Sequence, residues 1–105
     1  MTEKINKLVK ELNSLLSKSF KDFEGLYIFG SYVNGQPAPE SDLDIVIILD
    51  AKNKKMRWAV WEIVSKLEYD YGIVLDLHPM TRQELEKNYS FYNEVVNKGV
   101  FFNAA

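Results

Sequence analysis

The stretch Ser41-Asp42-Leu43-Asp44-Ile45-Val46-Ile47-Ile48-Leu49 decides how this 105-residue chain is read. It is rich in β-branched residues and reads as a strand from Asp42 to Leu49. Side chains alternate along a strand, so Leu43, Ile45, Ile47 and Leu49 share one side. Asp42, Asp44, Val46 and Ile48 share the other. Two carboxylates therefore leave the same side of one strand, at its entrance.

Working upstream, Leu26-Tyr27-Ile28-Phe29 is a second short apolar run and reads as a buried strand ending at Gly30, after Gly25 has broken the preceding pattern. Ser31 to Gly35 suits a short helical turn. Asn34 to Ser41, with Pro37 and Pro39, is a loop lodged between apolar segments, which marks it as a working loop rather than a domain boundary. Further back, Ile5, Leu8, Val9, Leu12, Leu15 and Leu16 recur at helical spacing, with Lys and Glu on the opposite side. That spacing predicts a helix from residue 3 to about 20, with Thr2 as its cap.

Downstream, Asp50 to Lys55 is a polar connection. Met56, Ala59, Val60, Ile63, Val64, Leu67 and Tyr71 then keep helical spacing until Gly72. Ile73 to His78 reads as another strand, with Val74, Asp76 and His78 on one side and Pro79 as its end. Thr81-Arg82-Gln83-Glu84 fits a capping box, so a last helix runs from there to about Asn97, and Gly99 precedes an apolar tail, Val100-Phe101-Phe102. The expected result is a small α/β (α+β) fold, a sheet of about three strands with helices packed on it, in one domain over residues 1–105.

Composition excludes several classes. The apolar share is 47% and the charged share 27%, ordinary for a globular chain. No cysteine is present, which removes disulfides and thiolate metal sites. No apolar run approaches the ~18 residues of a membrane span, and the start of the chain lacks the pattern of a secretory signal, so a cytoplasmic location is expected. The net charge of -2 and the lack of a basic stripe disfavour nucleic acid as a partner.

The chemistry rests on few residues. Asp42 and Asp44, at i and i+2, have β-carbons roughly 7 Å apart and repel unless a cation lies between them. Hard cations such as Mg²⁺ take oxygen ligands and share them with phosphates. Such a pair also reads simply as two solvated aspartates at a strand end. Asp76 stands in an otherwise apolar strand, where a charge is costly unless paired or metal-bound. A salt bridge to Arg57 or a lysine would also satisfy it. Gly30-Ser31, directly after a strand, lets a phosphate approach backbone N–H groups and a hydroxyl, though the same pair is common in plain turns.

In combination these elements resemble the minimal nucleotidyltransferase family, within the DNA polymerase beta-like superfamily. The matching residues are Phe29-Gly30-Ser31-Tyr32-Val33-Asn34-Gly35, then Ser41-Asp42-Leu43-Asp44-Ile45-Val46-Ile47, then Asp76 on the strand after the intervening helix. The resemblance spans about residues 1 to 80, with a motif core at 26–79 and a C-terminal helix and aromatic tail at 81–105. It implies a nucleotidyltransferase fold with a small mixed sheet. It implies that Asp42 and Asp44 ligate a pair of Mg²⁺ ions, that Asp76 ligates the catalytic metal and helps activate the attacking hydroxyl, and that Gly30 and Ser31 hold the triphosphate. The implied reaction is transfer of a nucleoside monophosphate, AMP from ATP, to a hydroxyl, with release of pyrophosphate. Two departures stand out: Asn34 occupies a position where many members carry arginine, and Val33 replaces the usual alanine. Lys52, Lys54, Lys55 and Arg57 would compensate if their loop lies near the site; a solvated basic loop is the favoured reading of the same residues.

Stand-alone members of this family resemble the antitoxin half of toxin–antitoxin pairs, whose partner is a helical HEPN-type protein and whose acceptor can be a tyrosine of that partner. A hetero- or homo-oligomer fits this reading. The alternative is a non-catalytic binding module of the same fold that neutralises its partner by complex formation. His78 is expected to end its strand in solvent. One of Trp58 and Trp61 is expected in the core. Tyr89, Phe91, Tyr92, Phe101 and Phe102 either form a partner surface or close the underside of the sheet.

Overall fold

The computed structural model describes residues 1–35, 37, 38, 40–50 and 54–105, without the side chains of residues 54–57. In chain order the elements are α1 (Glu3–Ser19), β1 (Phe23–Phe29), α2 (Ser31–Asn34), β2 (Leu43–Leu49), α3 (Lys54–Tyr71), β3 (Leu75–Met80), α4 (Arg82–Lys87) and α5 (Tyr89–Tyr92). A π-helical turn at Asn93–Asn97 then leads into β4 (Val100–Asn103). The sheet order is β3-β2-β1-β4. β1 is antiparallel to β2 and to β4, while β2 and β3 run parallel. A parallel pair needs a crossover connection, and α3 supplies it.

The local signals act as the chemistry requires. Thr2 Oγ1 accepts the Ile5 N–H at 3.2 Å and opens α1. Gly72, at φ +66°, ends α3 by donating its N–H to the Glu68 carbonyl at 2.8 Å. Thr81 and Glu84 cap each other's backbone at the start of α4.

β2 lies between β3 and β1 and is buried on both sides. On one side Leu43, Ile45, Ile47 and Leu49 pack with Leu26 and Ile28 against Leu8, Leu12 and Leu16 of α1 and Val60, Val64 and Leu67 of α3. On the other side Tyr27, Val46 and Ile48 meet Leu85 and Val95. Each fully buried Leu or Ile contributes roughly 1.5–3 kcal/mol, so the strand that carries Asp44 is held by the core itself. Asp44 lies near the N-terminal end of β2, half-buried and paired with Phe29, which packs against this second layer.

Several expectations need correction. The sheet has four strands, not about three, because Val100–Asn103, read as a tail, pairs with β1. β1 begins at Phe23, since Gly25 sits at an irregularity within the pairing instead of before it. β2 begins at Leu43, with Asp42 just ahead of it. Pro79 lies inside β3, opposite Ile47, and is tolerated because β3 is an edge strand. The last predicted helix is broken at Asn88, whose side chain caps α5, and it finishes as a π-helical turn. Trp58 and Trp61 are both exposed, at 69% and 61%, and meet edge to face with centroids 5.9 Å apart. Among the C-terminal aromatics, Phe91, Tyr92 and Phe102 pack against the two cores, while Tyr89 is exposed. Among the described residues, no helix is long and apolar enough to cross a membrane.

Candidate functional site

The parallel pairing of β2 with β3 sets Asp44 directly opposite Asp76. In-register residues of neighbouring strands point to the same side, so both carboxyls leave the face that also carries Tyr27, Val46 and Ile48. Burial first, and then the neighbouring carboxyl of Asp76, hold the Asp44 carboxyl above the ordinary carboxylate range. A nearby His78 pulls the other way, and Asp42 adds a smaller upward push. The neighbouring carboxyl thus disfavours charge on Asp44, the electrostatic condition that a cation relieves.

Asp42 is exposed at the rim, one residue ahead of β2, while Asp44 and Asp76 are half-buried. Among the described residues no three acidic or histidine side chains already close on a common point, so the arrangement is a tight pair with a third carboxyl beside it. All the donors are carboxylate oxygens, the ligand type that suits Mg²⁺.

Gly30 stands at the end of β1, next to Phe29, which pairs with Asp44. Its φ is +83°, in the region reserved for glycine, and a β-carbon built there would overlap the Asp44 carboxylate. The chain then turns into α2, which has Gly30 as its N-cap and no side-chain cap. The Val33 and Asn34 amides both donate to the Gly30 carbonyl, at 3.1 and 3.0 Å, so the amides of this turn that can face a ligand are those of Ser31 and Tyr32. Tyr32 donates its hydroxyl to the Ser41 carbonyl at 3.2 Å and ties this turn to the residue before Asp42. The fold therefore brings Gly30, Ser31, Asp42, Asp44 and Asp76 to one end of the sheet.

His78 is not simply a solvent-facing strand end. Its Nε2 lies 3.2 Å from Asp76 Oδ2, and its ring meets Phe29 and Phe91 at centroid distances of 6.0 and 5.8 Å. The one signal for this in the sequence is the Asp-x-His spacing, which places both side chains on one face. Of the four basic residues considered as compensating cations, Lys52 and the side chains of Lys54, Lys55 and Arg57 lie outside the described residues.

Residues 5–101 match the family model of the nucleotidyltransferase domain. The chain belongs to this nucleotidyltransferase family. Two related proteins of Methanocaldococcus jannaschii, both named as candidate protein adenylyltransferases, reinforce the assignment. MJ0604 is 32% identical over 89% of this nucleotidyltransferase and 92% of its own length. MJ0141 is 31% identical over 91% and 96% respectively. Among solved structures, a toxin–antitoxin complex with AMP-PNP is 26% identical to the nucleotidyltransferase, with a TM-score of 0.61, covering 93% of this chain and 68% of that one. The fold also matches a chain from the complex of tri-AMPylated Shewanella oneidensis HEPN toxin with its MNT antitoxin, at 23% identity and a TM-score of 0.57 over 93% of this chain and 67% of that one.

Proposed function

We propose that this nucleotidyltransferase transfers AMP from ATP to a hydroxyl of a protein partner and acts as the antitoxin of a HEPN-type protein. The observation that carries the catalytic half is the in-register pair of Asp44 and Asp76, side by side on one face next to the Gly30 turn. A binding module has no need to set two carboxyls against each other on a half-buried face. The partner half is supported by relatives named as candidate protein adenylyltransferases and by neighbours from toxin–antitoxin complexes.

In this reading Asp42, Asp44 and Asp76 would hold Mg²⁺, which when bound supplies charge neutralisation at the phosphates and at the attacking oxygen. Gly30 lets the triphosphate approach the backbone, and the Ser31 amide and hydroxyl donate to its oxygens. The acceptor oxygen forms a bond to the α-phosphorus as the bond to the β-phosphate oxygen breaks and pyrophosphate leaves. Asp76 would take up the acceptor's proton. The exposed pair Trp58 and Trp61 is an apolar surface of the kind that protein partners cover.

The test is incubation with ATP labelled at its α-phosphate, Mg²⁺ and a HEPN-type protein. Label should reach the partner with the wild type and be lost with Asp42→Asn. Equal neutralisation of the partner by both proteins, with no label transferred, would leave only the binding-module reading.

A further inference from the structure

We infer that His78 is a positioning residue, holding Asp76 turned toward Asp44 through an Nε2–H···Oδ2 hydrogen bond. The inference rests on the nucleotidyltransferase reading of that pair.

Asp76 sits on an edge strand. Among the described residues it has a neighbouring strand on the Asp44 side and none on the other, and its side chain is 47% exposed. A carboxyl in that position rotates readily about its last torsion, which is broad and two-fold. His78 is two residues further along the same face and reaches back to Asp76 Oδ2 at 3.2 Å. A carboxylate only accepts, so the imidazole nitrogen facing it is the donor.

The ring is itself fixed. Phe29 meets it from β1, and Phe91 meets it edge to face from α5; these two phenylalanines also pack edge to face with centroids 5.6 Å apart. Phe91 is anchored in turn, since its backbone N–H donates to Asn88 Oδ1 at 3.1 Å. The chain of contacts runs from the Asn88 cap of α5 through the Phe91 and His78 rings to one carboxyl oxygen. Phe29 also directly precedes Gly30, so the same aromatic contact joins the two halves of the site.

His78 is the single histidine of the chain, so its ring signals need no assignment. In nitrogen-15 NMR of the wild type at a pH where the ring is neutral, Nε2 should carry the proton. That proton should exchange slowly enough to be seen and should become unobservable in Asp76→Ala. A ring protonated on Nδ1, or an Nε2 proton indifferent to Asp76→Ala, overturns the inference whether or not transfer occurs. In the transfer assay, His78→Phe keeps a ring between Phe29 and Phe91 but removes the donor. It should lower kcat about ten- to hundredfold, with KM for ATP within about twofold and Tm little changed. His78→Gln restores an N–H donor and should recover most of kcat. Equal loss in both variants, or none in His78→Phe, also overturns it. Failure of the Nucleotidyltransferase reading itself would be distinct: the wild type would transfer nothing while the ring signals still reported the bond.

Discussion

The backbone of Gly30 passes so close to Asp44 that a single added methyl group would overlap the carboxylate. Gly30→Ala therefore combines an unfavourable φ of +83° with a displaced acid. Destabilisation of about 1–3 kcal/mol is expected in urea unfolding. Transfer should fall by more than the lost folded fraction explains, because the acid moves even in folded molecules. Wild-type stability and activity in this variant would count against the described approach of backbone and carboxyl.

Asp44 sets a pH dependence. Its folded-state pKa is raised above the ordinary 3.8 by burial and by Asp76, so the folded protein holds this proton more tightly than the unfolded chain does. Stability from this group is therefore present at low pH and is lost as pH rises through the raised value. Without divalent cations, Asp44→Asn should remove that loss and be more stable than wild type at pH 7. Thermal melts of both proteins from pH 4 to 8 check this, and a wild type that gains on the variant as pH rises contradicts it. The same variant should abolish transfer.

The sequence made the site more legible than the sheet. Period-two alternation placed Asp44 and Asp76 on strand faces, and the glycine after a strand marked the turn, because these signals are local. β4 escaped because four residues carry almost no periodicity, and the partner of Val100 is Ile28, far away in the chain. Pro79 looked like a terminator because its tolerance in β3 depends on that strand lying at an edge, which is a property of the sheet and not of the segment. The bond from His78 to Asp76 was hidden because Phe29 and Phe91, which fix the ring, come from distant parts of the chain.

Gly99 tests the docking of β4. A β-carbon there would meet the Val95 carbonyl oxygen and lie 2.7 Å from that of Ile28. Gly99→Ala should cost about 1–3 kcal/mol, since backbone atoms give way less easily than flexible side chains. Hydrogen exchange should show the loss concentrated at β4 and its partners in β1. Uniform or absent loss of protection speaks against this packing.

The capping box offers a milder probe. Thr81 Oγ1 accepts the Glu84 N–H at 3.2 Å, and Glu84 Oε1 accepts the Thr81 N–H at 3.0 Å. Thr81→Ala should cost about 1 kcal/mol in denaturant unfolding. A neutral result would show that Leu85, fully buried, holds α4 without the cap.

The two margins of the sheet differ in kind, yet each is a poor template for further growth. One margin is β3, where Pro79 has no N–H to lend to an incoming strand. The other is β4, four residues long, beyond which the Ala105 N–H is taken by Asn13 and Ser17 of α1. Edge-to-edge pairing of one molecule's sheet with another's is thereby discouraged at both flanks.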